Sequence, residues 1–390
     1  MSAASPQPLR LLQLTAFVST LDRFAMPPML IAIARDLDVP LAQVVQAAGV
    51  YFLAYGLMQP VWGVVSDRFG LVRTMRFSLA AAALMTGVAA ATTSAATLGL
   101  ARGLAGACFG AAFPASLIYL GDTVPRSRRQ KEVTNLMVGV ALGTALASAG
   151  AGVIADLLTW RVAFATTGVA ALLLALALHR LPEPPRLRRD QPVLSPFALV
   201  ARSGATRLVL LLAFLEGAVV LGALTLLPPA VEAAGTGAAL AGAVTAAYGV
   251  AVLGFAQVVG RLSERVATWR LITLGAAAAL AGCAVAALSR APVVAVVVSV
   301  LLGLAWAAMH SSLQTWATEV LPQARASVVS LFAGSLFLGS AVAALVVAGP
   351  AQAGRYGLVY AWAAVLTIPL GVLAARGRAS WHPPAGGDEH

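Results

Sequence analysis

Five ionisable residues interrupt long apolar stretches of this sequence: Asp22, Arg23, Arg102, Glu216 and His310. A charge at the centre of a membrane helix costs roughly 2.5–3.5 kcal/mol on insertion scales, so such residues are rare without a function. Carboxylates and histidine bind and release protons, while arginines compete with the proton or attract an anion. We therefore take these five as the candidate residues for proton coupling and for the substrate cavity.

Asp22 is the first candidate for a proton switch. A carboxylate removed from water favours its protonated form, and a nearby arginine favours its ionised form, so the two effects oppose each other. Adjacent helical positions point about 100 degrees apart, so Asp22 and Arg23 face different surroundings. The arginine that competes with the proton is either Arg102 or Arg23. The alternative is a permanent ion pair that joins the first and fourth helices.

Glu216 and His310 are the other titratable candidates. Glu216 either binds a proton or attracts a cationic substrate. The alternative is that it only forms a hydrogen bond that supports packing. His310 is a candidate pH sensor. Its alternative is a hydrogen bond to a neighbouring helix.

The elements that carry these residues are membrane helices. The chain is 60% hydrophobic and 11% charged over 390 residues, which is too apolar for a soluble domain. Twelve apolar stretches reach the length of about 20 residues that crosses a bilayer. Backbone groups in lipid need partners within their own segment, which favours helices. We predict an all-α integral membrane protein with twelve transmembrane helices.

Two related halves are indicated by a repeated set of charged and small residues. Each member of the first set recurs at one constant offset along the chain: Gly63, Asp67, Arg68, Asp122, Pro125 and Arg128 return as Gly260, Glu264, Arg265, Glu319, Pro322 and Arg325. A duplicated apolar chain of this kind is typical of membrane transporters. We predict two pseudo-symmetric six-helix bundles, residues 1–179 and 208–380, a cytoplasmic linker, residues 180–207, and a polar tail, residues 381–390.

The basic residues predict the orientation in the membrane. The net charge is +11. If the N-terminus is cytoplasmic, four of the 26 basic residues lie outside, two lie within helices, and all others lie on the cytoplasmic side; the six exceptions are Arg35, Arg161, Arg290, Arg355, Arg23 and Arg102. This is the positive-inside pattern. It predicts a multi-pass inner (plasma) membrane protein with both termini cytoplasmic, and it explains the charge without a nucleic-acid partner.

The loop that begins Gly63-Val-Val-Ser-Asp67-Arg68 and ends at Gly70 resembles the signature of the major facilitator superfamily. A weaker copy of this loop begins at Gly260. Arg102-Gly103 and Trp160-Arg161 further resemble the twelve-helix drug and metabolite proton antiporters of that superfamily. The resemblance implies a cytoplasmic gate that holds the outward-open state closed on the inside, built from Gly63, Asp67, Arg68, Gly70, Arg73, Asp122, Arg128, Gly260, Glu264, Arg265, Glu319 and Arg325. Its arginines are expected to pair with Asp122 and Glu319.

The resemblance implies alternating access with proton-coupled export of small amphipathic drugs or metabolites, that is, multidrug efflux by antiport. One alternative is a proton symporter that imports a small organic anion, favoured by Arg23 and Arg102 and by residues 147–152, which lack the Gly-Pro of the antiporter signature. Another is a non-transporting membrane receptor on the same fold. Direction of flux separates the first two.

The energy source is expected to be a proton gradient. The single lysine, Lys131, follows Gln130, so the phosphate-binding Gly-Lys-Ser/Thr motif is absent from the sequence. The four histidines are scattered and form no metal-ligand pattern. We therefore predict a transporter and not an enzyme, without cofactor or metal, that works as a monomer on a small-molecule substrate, protons and the lipid bilayer.

Overall fold

The structure, a computed structural model, describes residues 6–184 and 195–382. All regular structure in these ranges is helical. Twelve helices are long and apolar enough to cross a membrane, which confirms the predicted fold class. They are α1 (Leu9–Asp36), α2 (Leu41–Phe69), α3 (Leu71–Ala91), α4 (Ala95–Thr123), α5 (Lys131–Leu157), α6 (Trp160–Arg180), α7 (Gly204–Glu232), α8 (Ala238–Leu262), α9 (Thr268–Leu288), α10 (Pro292–Glu319), α11 (Pro322–Gln352) and α12 (Tyr356–Ser380).

The even number of spans puts the start of α1 and the end of α12 on one side of the membrane, here called the terminal side; the other is the distal side. Residues 185–194 of the predicted linker and 383–390 of the predicted tail lie outside the described residues. The described part of the linker contains a short helix, Ser195–Arg202. The domain boundaries drawn from the sequence therefore stay predictions.

Side-chain caps fix where several of these helices begin. The Ser94 hydroxyl accepts a hydrogen bond from the Thr97 amide at the start of α4, and Thr159 does the same for the Arg161 amide in α6. Such caps satisfy amides that have no partner within the helix. They set the register of the helices that carry Arg102 and Thr167 into the interior.

Several helices are irregular near the candidate residues. Pro27–Met29 forms a 3-10 turn within α1, beyond Arg23. A π-helical turn, Gly217–Leu221, directly follows Glu216 in α7. A second, Trp306–His310, ends on His310 in α10. Single π turns inside helices are frequent at functional sites, because the extra residue redirects neighbouring side chains.

The two halves meet along α2 with α11 and α5 with α8. Glycines on these faces allow close contact from the distal ends, at Gly49 and Gly152, to mid-span, at Gly56 and Gly249. A Cβ atom added to Gly56 would lie 2.8 Å from the Gly334 carbonyl oxygen, and one added to Gly249 would lie 2.8 Å from that of Ala141. Both distances are shorter than van der Waals contact, so larger residues would force the helices apart.

The same faces are open on the terminal side. Gly63 lies on α2 two helical turns beyond Gly56, and Gly260 lies on α8 three turns beyond Gly249, so each continues the face of its partner. Among the described residues, no atom beyond the neighbouring turns of the same helix lies within 4 Å of a Cβ placed at Gly63 or Gly260. The structure is therefore closed between the halves on the distal side and open on the terminal side.

Candidate functional site

Asp22 lies in the middle of α1 and is fully buried. Its Oδ1 accepts a hydrogen bond from the Arg102 guanidinium of α4 at 3.0 Å. The same oxygen accepts hydrogen bonds from Thr86 of α3 at 3.3 Å and Thr167 of α6 at 3.2 Å. Four helices of the first half therefore converge on one carboxylate oxygen, and the arginine that pairs with it is Arg102.

Arg102 is also held by groups other than the carboxylate. It donates a second hydrogen bond, 3.1 Å long, to the Asp22 main-chain carbonyl. Its guanidinium lies 4.4 Å from the ring centre of Tyr51 and 4.5 Å from that of Phe164. Aromatic faces stabilise a cation in this position. The arginine thus keeps several partners when the carboxylate loses its charge.

The second carboxylate oxygen of Asp22 is buried and has no hydrogen-bond partner among the described residues. The Tyr51 hydroxyl is in the same situation within that part of the chain. A carboxyl group with one oxygen fully occupied and the other unoccupied can accept a proton at the second without breaking the existing contacts. This arrangement allows the Asp22 carboxylate either to pair with Arg102 or to bind a proton, so the two compete.

Arg23 points away from this cluster, toward the boundary between the halves. It donates to the Tyr55 hydroxyl at 3.4 Å and to Thr20 at 3.3 Å. Its guanidinium lies 5.1 to 5.4 Å from the ring centres of Phe24, Tyr55 and Phe337, the last from α11 of the second half. None of the carboxylates in residues 6–184 and 195–382 forms a salt bridge with it. Within the described ranges, the direct partners of the Arg23 guanidinium are aromatic rings and hydroxyls.

The second half contains its own buried pair. Glu216 is fully buried, and its Oε2 lies 3.0 Å from Nδ1 of His310. Trp306 stacks on the His310 ring at 3.7 Å between centres. The other Glu216 oxygen is buried and has no hydrogen-bond partner in the described ranges. A π turn follows Glu216 and another ends on His310, and the two residues meet in the interior although they lie far apart in sequence.

Replacing His310 with alanine should weaken the second half. Glu216 would lose the only hydrogen-bond partner that the described residues give it, and a hydrogen bond to a charged group is worth about 1.5–3 kcal/mol. We expect a lower apparent melting temperature in detergent, measured with the purified protein. His310→Gln, which retains a donor, should recover part of the loss. An alanine variant that melts like the wild type would show that the pair contributes no stability.

The predicted gate residues lie on the terminal side, and most are exposed. Gly70 has a φ of 100°, which favours glycine. Its position lets Glu183 accept hydrogen bonds from the Val72 amide at 3.1 Å and the Arg73 amide at 3.2 Å, at the start of α3. The sequence around Glu183 does not indicate a cap, because this residue lies in a proline-rich stretch without a helical pattern.

Glu319 accepts a hydrogen bond from Arg378 of α12 at 2.9 Å, not from an arginine of the repeated motif. Arg128 lies 3.9 Å from Glu132 within its own helix. Gly63, Asp67, Arg68, Asp122, Gly260, Glu264, Arg265 and Arg325 are all exposed. Because the terminal side is open, the predicted pairing of the motif arginines with Asp122 and Glu319 stays a prediction for the opposite conformation.

Comparison with known proteins gives a sequence match across most of the chain. Residues 12–344 match the sequence model of the family described as Major Facilitator Superfamily. A triacylglyceride transporter of Mycolicibacterium hassiacum is 27% identical over 183 residues, which cover 46% of this chain and 34% of that protein. The chain thus aligns with about a third of the length of this relative.

Solved structures share the architecture. The nucleoside transporter NupG superposes with a TM-score of 0.79 at 14% identity, covering 95% of this chain and 99% of that one. A bacterial homologue of the human lysosomal transporter Spinster, inward-facing and unoccupied, gives 0.78 at 19% identity, covering 97% and 98%. Its inward-facing and occupied structure gives 0.76 at 19% identity, covering 95% of each chain. At these identities the likeness shows the fold.

Proposed function

Because the chain belongs to the major facilitator superfamily and is a multi-pass membrane transporter rather than an enzyme, we propose that it exports small amphipathic compounds in exchange for protons. The observation that carries the proposal is the fully buried Asp22, with one oxygen bound to Arg102 and the other unoccupied. A buried charge at mid-span is costly and marks a candidate proton or ion pathway.

In the proposed cycle, Asp22 carries the proton and Arg102 competes for the charge. When Asp22 is ionised, the ion pair holds α1 against α4. When Asp22 binds a proton at its unoccupied oxygen, the pairing weakens and Arg102 is held by the Asp22 carbonyl and the rings of Tyr51 and Phe164. The two states differ in how tightly α1 and α4 of the first half are joined. Tyr51, which contacts Arg102, lies on α2 at the boundary with α11, so this difference can bias movement of the halves.

Orientation and energy source follow from the charges. The positive-inside pattern supports a cytoplasmic terminal side in the inner membrane. The opening between the halves then faces the cytoplasm, which suits the loading of a compound for export. A proton gradient is the proposed energy source, without any cofactor, and one chain supplies both halves, so a monomer is sufficient.

The proposed substrate is amphipathic. The buried rings of Phe24, Tyr55 and Phe337 lie around Arg23 at the boundary of the halves, so apolar groups adjoin one cation there. The similarity to a triacylglyceride transporter supports a compound with an apolar part. The uncompensated Arg23 also supports a second candidate, proton symport that imports a small organic anion. A negative interior opposes anion entry by about 2.3 kcal/mol per 100 mV, which a cotransported proton would offset.

Uptake of charged fluorescent probes into efflux-deficient bacterial cells tests the proposal. We would compare ethidium, a cation, with anilinonaphthalene sulfonate, an anion, in cells with and without the protein, and with and without a protonophore. Lower probe accumulation that the protonophore reverses supports export. Higher anion accumulation that the protonophore abolishes supports import. If cells with and without the protein accumulate each probe to the same level, and the protein is verified in the membrane, the result would contradict transport of amphipathic ions.

Replacing Arg23 with glutamine should separate anionic from cationic probes. A hydrogen bond to a charged group contributes about 1.5–3 kcal/mol, so we expect apparent affinity for the anionic probe to fall about ten- to hundredfold. Transport of the cationic probe should not fall. Arg23→Lys keeps the charge but not the planar fork, and should retain part of the anion affinity. Equal loss for both probes would show that Arg23 supports the fold and does not select charge.

A further inference from the structure

On the distal side, α8 begins without a cap of its own. Its N-cap residue is Gly237, which has no side chain. The first amides of a helix have no partner within it and carry partial positive charge. Here Asp156, from α5 of the other half, accepts hydrogen bonds from the Ala238 amide at 3.1 Å and the Ala239 amide at 2.7 Å. The cap of α8 is therefore supplied across the boundary between the halves.

Close packing of α5 and α8 makes this contact possible. Gly152, one turn before Asp156, lies against the Ala238 carbonyl, and Gly242 of α8 lies against Ser148 of α5. A Cβ atom at Gly237 would lie 2.7 Å from the Asp156 carboxylate. The contact can therefore form only while the distal ends of α5 and α8 are together.

The other boundary between the halves carries a neutral version of the same arrangement. α2 begins after Pro40, which forms no side-chain cap. The Gln352 side chain, at the end of α11 in the opposite half, accepts a hydrogen bond from the Ala42 amide at 3.0 Å. Each half thus caps one helix of the other. One cap is a carboxylate with two hydrogen bonds, and the other is an amide with one.

We propose that Asp156 is a charged latch that keeps the distal side closed, and that it contributes more to closure than Gln352. Opening the distal side separates α5 from α8, which breaks both hydrogen bonds and removes the negative charge from the helix N-terminus. Charge-assisted hydrogen bonds are about twice as strong as neutral ones. The charged boundary should therefore dominate the equilibrium between distal-closed and distal-open states. This inference concerns gating and is independent of the substrate and of proton coupling.

Distances between spin labels on the distal side test the proposal without any substrate. Labels at Thr93, between α3 and α4, and at Leu288, at the end of α9, report the separation of the halves, and both positions are exposed. The native Cys108 and Cys283 would be replaced with alanine in every sample. Double electron–electron resonance on the full chain in lipid nanodiscs then gives the ratio of long to short distances.

Asp156→Asn should raise the ratio of open to closed protein about five- to thirtyfold, the range expected for loss of one charged contact. Asp156→Ala should raise it at least as much, and Gln352→Ala should raise it less than either. In the Asp156→Asn background, Gln352→Glu should restore the short distance, because it puts a carboxylate at the N-terminus of α2. Used alone, Gln352→Glu should lower the open fraction, which keeps the test informative if the Asp156 variants fold poorly.

Two results would overturn the latch. One is a distance distribution for Asp156→Asn that equals that of the wild type. The other is a Gln352→Ala variant that opens as much as Asp156→Ala, which would assign closure to packing and not to the carboxylate.

Discussion

Arg102→Met should remove most of the folded transporter from the membrane. The change leaves Asp22 fully buried with no cation beside it, and breaking a buried ion pair by removing one partner costs roughly 3–5 kcal/mol. Folded domains have only about 5–15 kcal/mol of stability in total. We would measure the yield of monodisperse protein and its melting temperature with a fluorescent C-terminal fusion on size-exclusion chromatography.

Two further variants make this result specific to the buried pair. Adding Asp22→Asn to Arg102→Met removes both charges, and replacing a whole buried pair is often close to neutral, so yield should recover. Arg161→Met breaks the pair with Asp36, 2.8 Å apart but 33% and 44% exposed. Exposed pairs contribute about 0–1 kcal/mol. Arg161 also donates to the Ala90 and Thr92 carbonyls, so this variant should lose some stability but express far better than Arg102→Met. A stable Arg102→Met protein would show that folding does not require the buried ion pair, because a carboxyl that has lost its cation can bind a proton.

Asp22→Asn should abolish accumulation against a gradient while sparing exchange. Asparagine retains an acceptor for Thr86 and Thr167, and Arg102 keeps the main-chain carbonyl and two rings. The variant therefore resembles the protonated state and should fold, but it cannot release a proton. In cells that express the variant, accumulation of the transported probe should equal that in cells without the protein. In liposomes, exchange of external for preloaded probe should persist.

Asp36→Asn is the matched control for this variant. Asp36 is also a carboxylate of α1 paired with an arginine, but it lies at the distal end of the helix and is partly exposed. Its loss should leave coupled transport intact. If Asp22→Asn still accumulates probe in a way that the protonophore collapses, the proton binds elsewhere, and Glu216 becomes the next residue to change.

The twelve helices could be predicted because lipid imposes one requirement everywhere. Each span must be apolar over its full length and must satisfy its own backbone, so composition and length alone reveal it. The charges that break this rule, Asp22, Arg102, Glu216 and His310, are visible for the same reason. Their partners are less visible, because adjacent positions such as Asp22 and Arg23 differ only in direction, and direction is decided by packing.

The threonines that contact Asp22 show what sequence could not reveal. Most threonines in apolar helices bond to their own backbone, as Thr245 does with the Ala241 carbonyl at 2.8 Å. Thr167 does this as well, with the Phe164 carbonyl at 3.0 Å, yet it also reaches Asp22. Nothing local distinguishes the two positions. The role of Thr167 depends on α6 packing beside α1, which is a tertiary property.

The pairing of Glu216 with His310 was hidden for a related reason. Each was visible as a polar residue in an apolar span, but they lie 94 positions apart on α7 and α10. Which faces of these two helices meet is decided by packing, which no residue pattern in the sequence predicts. The repeated motif near Gly63 shows the opposite case. Its residues could be picked out from the sequence alone, whereas its pairing with Asp122 and Glu319 stays a prediction for the conformation that is closed on the terminal side.

Proton movement in liposomes that contain the wild-type protein tests the central claim most directly. Vesicles are loaded with the probe that the cell assay identifies and with a pH-sensitive dye, at equal internal and external pH, and are then diluted into probe-free buffer. Our account predicts that the lumen acidifies as the probe leaves, because protons enter in exchange; Asp22→Asn should show no pH change. Wild-type vesicles that release the probe through the protein while the luminal pH stays constant would contradict proton coupling.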